Sequence, residues 1–229
     1  MVSARPPRTI ALVGIDGSGK TTQAHLLADA LADRGLPARY RRNAGGRRWF
    51  GRLAEALGRD HVLGHRAMLF VEAVLRWLAI LRTLTRRWFT GEIAVMDRYA
   101  VCQFASIRAR AGNDHRARCF YRAFPAPDVT FFLAVNPQIA YDRIERRGYD
   151  HEEMDYLRAA TAAYRSLPEF PGFVVIDANQ TPGQVQAELL AHLPALGTVR
   201  RRITTSIVVG AAALAAAASA VTCQLAEGF

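Results

Sequence analysis

The stretch that decides the fold is Gly14-Ile15-Asp16-Gly17-Ser18-Gly19-Lys20-Thr21, which Thr22 follows. It fits the pattern G-x-x-x-x-G-K-[S/T] at every position. Residues 9–13, Thr-Ile-Ala-Leu-Val, precede it as an apolar run that predicts a buried parallel strand. After Lys20, apolar residues at helical spacing predict an amphipathic helix that ends at Gly35. Strand, glycine-rich loop and helix therefore follow in the order that this motif requires.

Such a loop binds phosphate because its backbone N–H groups point inward at the N-terminus of a helix. We therefore expect residues 14–22 to bind a nucleoside triphosphate. Lys20 would reach the β- and γ-phosphates, and the Thr21 hydroxyl would be a ligand of Mg²⁺. The alternative is a glycine turn that binds nothing, and the agreement of motif and context favours triphosphate binding.

The composition narrows the range of partners. The chain has 229 residues, a length that suits one α/β domain with an appendage, and a formal net charge of +10. A basic protein can bind nucleic acid, acidic lipid or a polyphosphate substrate. Its basic residues do not alternate with aromatic ones as in known nucleic-acid modules, so we expect a phosphate substrate and no nucleic acid. Residues 1–8 lack the apolar segment of a secretory signal, and the three cysteines are not spaced as metal ligands.

Four further strands are predicted after the first, within residues 36–40, 92–97, 127–135 and 173–177. They alternate with helices, which predicts a P-loop NTPase fold: a three-layer α/β/α sandwich around a five-stranded parallel sheet. One domain would span residues 9–195 behind an N-terminal arm at residues 1–8. A long helix is predicted from Ala67 to about Thr85, with its buried side formed by Leu69, Phe70, Ala73, Val74, Trp77, Leu78 and Leu81.

Asp97 ends the predicted strand at residues 92–97, and Arg98 follows it directly. Ligands of a doubly wound sheet bind beyond the carboxyl ends of its strands, so both side chains would lie beside the phosphate loop. There Asp97 can hold the shell of the Mg²⁺ ion, and Arg98 can clamp a second phosphate with two hydrogen bonds. The alternative is a salt bridge at the strand end. The arginine-rich loop at residues 41–48 is either a hinged cover over the ligand or a solvated surface loop.

A lid is predicted at about residues 140–153, on a helix that carries Arg143, Arg146 and Arg147. Arg143 and Arg147 are four residues apart, so both can face one site. The alternative is a set of arginines on a solvated helix face.

The C-terminal segment, residues 196–229, differs in character from the rest. Arg200, Arg201 and Arg202 precede an uncharged, alanine-rich stretch at residues 203–226, which predicts an apolar helix long enough to cross a bilayer. Basic residues on its N-terminal side would keep the catalytic domain cytoplasmic, at the inner face of the plasma membrane. The alternatives are a helix packed on the domain or on a partner, and a frayed tail.

Several stretches together resemble the thymidylate kinase family of P-loop nucleoside monophosphate kinases. They are the phosphate loop with Asp16, Thr22-Gln23, Leu69-Phe70, Asp97-Arg98-Tyr99, residues 127–131 and the basic segment 143–147. The resemblance implies that ATP and Mg²⁺ serve phosphoryl transfer to dTMP or a related nucleoside monophosphate, in nucleotide biosynthesis. It also implies contacts of Asp16 with the acceptor sugar, Arg98 with the acceptor phosphate and Phe70 with the acceptor base. Arg143 and Arg147 would stabilise the transferring group.

The acceptor side diverges from that family. Val74 stands where members usually carry an arginine that meets the thymine, and residues 43–46 and 101–106 differ from the usual motifs. One alternative is therefore a membrane-tethered nucleotide-binding module without kinase activity. A deoxynucleoside kinase, with an unphosphorylated acceptor, is a variant of the first hypothesis. A regulatory GTPase is disfavoured because the sequence has no N-K-x-D signature and no D-x-x-G switch after the phosphate loop. The sequence leaves a homodimer open.

Overall fold

Strands and helices alternate along the chain in the computed structural model, which describes residues 7–43, 65–148 and 152–193. The strands are β1 (Thr9–Val13), β2 (Ala38–Arg42), β3 (Ile93–Asp97), β4 (Val129–Ala134) and β5 (Val174–Asp177). The helices are α1 (Lys20–Asp33), α2 (His65–Thr90), α3 (Ala100–Ala109), α4 (His115–Tyr121), α5 (Pro137–Glu145), α6 (Met154–Arg165) and α7 (Pro182–Ala191). A short 3₁₀ helix at Phe170–Gly172 precedes β5.

The predicted five-stranded parallel sheet is confirmed, with the strand order β2-β3-β1-β4-β5. β1 lies in the centre, and every residue of β1 and β3 is buried, as expected for parallel strands covered on both faces. Leu12 of β1 pairs with Asp97 of β3, so the two strands end at the same level. The loop that follows β1 therefore lies next to the residues that follow β3.

The helices pack in contacting groups. α1 packs against α7, while α6 packs against both α3 and α5. Large side chains of the strands fill the interior, including Ile10, Leu12, Phe131 and Phe132. The N-terminal caps follow from the sequence: Asn136 caps α5 ahead of Pro137, and Thr181 forms a capping box with Gln184 at the start of α7.

The prediction for α2 was wrong in its buried face. The helix runs from His65 to Thr90, and Phe70 and Leu78, predicted to be buried, are 55% and 50% exposed. The buried positions that interrupt the apolar pattern are polar: Glu72, Arg76 and Thr83, on the same side as Ile80. Two of these polar groups have partners outside the helix, since Arg76 bonds Gln103 and Thr83 bonds Asn43. The inner face of α2 therefore contacts polar side chains of α3 and of the segment after β2. Apolar periodicity in the sequence does not reveal such a face.

Two other boundaries differ from the prediction. β2 lies at Ala38–Arg42, two residues further along than expected. α5 ends at Glu145, with Arg146 as its C-cap, so Arg147 lies beyond the helix and the expected helical pairing with Arg143 does not form.

Some sequence predictions fall on residues that the structure does not describe. These are most of the arginine-rich loop at 41–48, part of the lid at 149–151, and the apolar stretch 203–226. The predictions for these segments stand untested. Within residues 7–43, 65–148 and 152–193, none of the helices has both the length and the apolar character needed to span a bilayer.

Candidate active site

The glycine-rich loop curls tightly between β1 and α1. Gly14, Gly17 and Gly19 all have positive φ, at 146°, 81° and 90°. A Cβ atom added at Gly17 would lie 2.4 Å from the Ala140 carbonyl oxygen, so this loop packs directly against the backbone of α5. Gly19 is the N-cap of α1 and has no side chain with which to satisfy the first N–H groups of the helix. Those groups are therefore available to an anion.

Lys20, the only lysine in the chain, begins α1 and is 4% exposed. Its Nζ atom lies 2.5 Å from the Ile15 carbonyl oxygen and 3.7 Å from Oδ1 of Asp16. Burial lowers the pKa of Lys20, and the charge of Arg98 lowers it further, while Asp16 and Asp97 oppose this shift. The ammonium group is thus folded back onto its own loop, where a phosphate oxygen could replace the carbonyl as its partner.

Thr21 and Asp97 meet beside this lysine. The Thr21 hydroxyl donates to Oδ2 of Asp97 over 2.6 Å, and the Tyr40 hydroxyl lies 3.3 Å from the same oxygen. Burial raises the pKa of Tyr40 to about 12, and the neighbouring Asp97 carboxylate adds to the shift, so the phenol stays protonated as a donor. Oδ1 of Asp97 is buried and has no hydrogen-bond partner within the described part of the chain. A hydroxyl next to a carboxylate with one unsatisfied oxygen fits a hard divalent cation such as Mg²⁺.

Arg98 follows Asp97 directly and turns its guanidinium toward the phosphate loop. It forms an ion pair with Oδ1 of Asp16, the carboxylate that Lys20 also approaches. The Asp16 charge raises the pKa of Arg98 well above its ordinary value, so Arg98 remains cationic. Two cations thus converge on one loop carboxylate, which makes this region suited to binding phosphate.

Arg143 of α5 closes the other side of the loop. Its Nη1 atom donates to the Ala178 carbonyl oxygen at 3.1 Å and lies 3.5 Å from the Gly17 carbonyl oxygen. The structure therefore brings Arg143 to the phosphate loop. Arg147 is exposed beyond the end of α5, Thr22 is exposed on the first turn of α1, and Phe70 is 55% exposed on α2.

Several polar residues that were not predicted from the sequence lie around this site. Tyr40 lies on β2 beside Asp97, and its ring stacks on His25 with 3.6 Å between the ring centroids. Asn43, fully buried, donates from Nδ2 to the Arg98 carbonyl oxygen at 3.0 Å. Arg76 donates to Oε1 of Gln103 at 2.7 Å, with both residues buried. A buried arginine inside an apolar helix is a signal for such a site, but its partner cannot be identified without the fold.

Sequence comparisons with known proteins identify a family of nucleotide kinases, as expected from the phosphate loop. A sequence model of the family described as Thymidylate kinase matches residues 12–189. The chain is 30% identical over 184 residues to the probable thymidylate kinase of Archaeoglobus fulgidus, covering 79% of this chain and 91% of the relative. It is 32% identical to the probable thymidylate kinase of Pyrobaculum aerophilum, covering 79% of this chain and 93% of that protein. It is also 32% identical to the thymidylate kinase of Bordetella petrii, covering 82% and 96%. The chain therefore belongs to the thymidylate kinase family of nucleoside monophosphate kinases.

Proposed function

We propose that this protein transfers the γ-phosphoryl group of ATP to dTMP or a closely related nucleoside monophosphate. The observation that carries the proposal is the convergence of Lys20, Arg98 and Asp16 on one side of the Thr21–Asp97 pair. Phosphoryl transfer depends mainly on positioning and on neutralising charge, and this arrangement supplies both. The names of the relatives support dTMP as the first acceptor to test.

On the donor side, residues 14–22 would hold the triphosphate of ATP. The Lys20 ammonium would exchange the Ile15 carbonyl oxygen for phosphate oxygens, and its position at the first turn of α1 adds the positive end of the helix dipole. Thr21 and Asp97 would hold Mg²⁺. When bound, Mg²⁺ neutralises charge on the phosphates.

On the acceptor side, Arg98 would bind the phosphate of the monophosphate through its planar guanidinium. Asp16 pairs with Arg98 in the structure. The acceptor phosphate would replace Asp16 as the partner of Arg98, and the Asp16 carboxylate would then accept a hydrogen bond from a sugar hydroxyl. Phe70 would pack against the base. Arg143, and Arg147 from the turn after α5, would stabilise the group in transfer, which is consistent with the contact of Arg143 to the phosphate loop.

The Arg76–Gln103 pair supports a proposal for recognition of the base in the absence of an arginine at Val74. Nε of Arg76 and Nε2 of Gln103 are buried donors for which the described residues supply no acceptor. Burial raises the pKa of Tyr164 well above its ordinary value, and the charges of Arg98 and Arg76 both oppose this shift because both guanidinium groups lie close to that residue. Two donors suit the carbonyl oxygen of a pyrimidine and disfavour an amino group at the same place.

An acceptor screen by coupled ADP release tests this function. With ATP and Mg²⁺, we expect turnover with dTMP or dUMP and at least about tenfold less with dCMP, whose amino group would face the two donors. Lys20→Ala should lower turnover by at least about 100-fold because it removes a contact that is needed in the transition state. If the wild-type protein releases no ADP with any nucleoside monophosphate, the proposed function is wrong. Turnover with thymidine in place of dTMP would show a nucleoside kinase instead.

A further inference from the structure

Arg98 has an uncommon backbone conformation. Its φ angle is 78°, in the left-handed region that favours glycine. A residue with a Cβ atom is strained there and keeps the conformation only where its surroundings hold it. The strain coincides with the residue that we propose as the binder of the acceptor phosphate. The groups that hold this backbone therefore also set where its guanidinium lies.

Three hydrogen bonds hold the backbone around Arg98. Its own N–H donates to the Leu12 carbonyl oxygen at 3.2 Å. The Arg98 carbonyl oxygen accepts from Nδ2 of Asn43 at 3.0 Å, and the Asp97 carbonyl oxygen accepts from the backbone N–H of Asn43 at 3.1 Å. Asn43 thus contributes two of these three bonds, one from its side chain and one from its backbone. It can do so because β2 and β3 are parallel and in register, with Arg42 opposite Asp97.

Thr83 of α2 forms a hydrogen bond with the Asn43 amide. The Thr83 hydroxyl lies 3.0 Å from Oδ1 of Asn43, and both side chains are buried, at 1% and 0% exposure. The hydroxyl also lies 2.9 Å from the Ala79 carbonyl oxygen, which already serves as a backbone acceptor within the helix. If the amide were flipped, its oxygen would face the Arg98 carbonyl oxygen, acceptor against acceptor. In the orientation that holds Arg98, Nδ2 of Asn43 donates to the Arg98 carbonyl oxygen and Oδ1 accepts from the Thr83 hydroxyl.

We propose that Asn43, oriented by Thr83, is a positioning residue that holds Arg98 in its left-handed conformation and so places the guanidinium for the acceptor phosphate. This inference rests on the proposed function, since it assigns the acceptor phosphate to Arg98. It links α2 to the catalytic strand end through one buried amide. The effect should fall on the acceptor rather than on ATP, because Lys20 and residues 14–19 are held by their own loop and by α1.

Steady-state kinetics of Thr83→Val and Thr83→Ser, measured against the wild type, tests the inference. Valine keeps the shape of threonine without its hydroxyl, whereas serine keeps the hydroxyl. We expect Thr83→Val to raise the KM for dTMP about tenfold with the KM for ATP within about twofold, because small misplacements of a binding group weaken only its own contact. Thr83→Ser should restore the wild-type value. Asn43→Asp, which removes the donor and faces a carboxylate toward the Arg98 carbonyl oxygen, should have the larger effect.

Thr161→Val is the matched control. The Thr161 hydroxyl bonds the carbonyl oxygen of Leu157 on its own helix, α6, at 2.9 Å, so its removal imitates the helix effect of Thr83→Val away from the site. An unchanged KM for dTMP in Thr83→Val, or an equal rise in Thr161→Val, would overturn the inference. A fall in melting temperature with both KM values unchanged would show a purely structural role and would overturn it as well.

A second measurement keeps the inference separate from the proposed function. The backbone ¹⁵N and ¹³Cα chemical shifts of Arg98 report its φ angle without any turnover. We expect them to change in Thr83→Val and Asn43→Asp and to remain at wild-type values in Thr161→Val. If the wild type fails in the acceptor screen while these shifts respond, the proposed function is wrong and the positioning role of Asn43 stands. If the shifts do not respond, the positioning role is wrong whatever the acceptor.

Discussion

Substitution of Gly17 by alanine probes the contact between the phosphate loop and α5. Gly17 has φ of 81°, and an added Cβ atom would lie 2.4 Å from the Ala140 carbonyl oxygen and 2.9 Å from its carbonyl carbon and Cα. These are backbone atoms, which cannot rotate away as a side chain can. α5 would therefore have to shift, and with it Arg143. Gly35 is the matched control because its φ is 79° and an added Cβ would meet no atom within 4 Å.

The two variants separate backbone strain from steric overlap. Alanine in the left-handed region costs about 1–2 kcal/mol, a cost that both positions share. Overlap in a packed region adds about 1–3 kcal/mol, a cost that only Gly17 incurs. We therefore expect Gly35→Ala to lower the free energy of unfolding by about 1–2 kcal/mol and Gly17→Ala by about 2–5 kcal/mol.

Urea denaturation of both variants measures these free energies, and coupled ADP release measures the kinetic effect. We expect the KM for ATP to rise in Gly17→Ala and to stay near the wild-type value in Gly35→Ala, because only the first change displaces Arg143 from Ala178 and the loop. Equal losses of stability and equal KM values in the two variants would refute the close packing of α5 on the loop.

Two further predictions concern ionisable groups. Lys20 should react with an amine-directed reagent at a pH below that expected for its ordinary pKa of 10.5, because burial lowers its pKa and the neutral amine is the nucleophile. Peptide mapping separates the label on Lys20 from the label on the N-terminal amine. ATP should protect Lys20 from the reagent. Asp16→Asn removes a charge that raises the pKa of Lys20, so this variant should react at a still lower pH. Burial alone would raise the pKa of Asp128, but bonds from the N–H and hydroxyl of Thr9 and the N–H of Arg8 lower it overall. Its stabilising effect should therefore be complete above its ordinary pKa of 3.8 and be lost as the pH falls through the lowered value. At neutral pH we expect Asp128→Ala to cost about 1 kcal/mol in urea denaturation, since the carboxylate is exposed. We expect Asp155→Ala to have no measurable effect, because Asp155 and its partner Arg158 are both largely exposed.

The phosphate loop and the sheet could be predicted because their signals are local. Residues 9–35 carry strand, loop and helix signals in a fixed order, and each glycine has a geometric reason to be where it is. The same holds for Asp97 and Arg98, because parallel strands place their carboxyl ends together. The caps of α5 and α7 are also local signals, since Asn136 and Thr181 stand directly before Pro137 and Pro182.

What could not be predicted depends on contacts between distant residues. The buried face of α2 is polar because Arg76 and Thr83 find partners in α3 and after β2, and apolar periodicity counts those positions as surface. The positive φ angle of Arg98 could not be predicted from the sequence, because arginine rarely adopts positive φ whereas glycine does so readily. The sequence predicts Arg147 on the helix that ends two residues before it, because the last turn of a helix has no strong local sequence signal here.

The most direct test of the central claim is the identification of the product. Purified protein is incubated with ATP, Mg²⁺ and dTMP, and the nucleotides are separated by anion exchange. We predict that dTDP and ADP appear in equal amounts, that their formation requires both substrates, and that Lys20→Ala forms neither at a measurable rate. ADP formed without a phosphorylated acceptor, or equal activity in Lys20→Ala and the wild type, would contradict phosphoryl transfer at this loop.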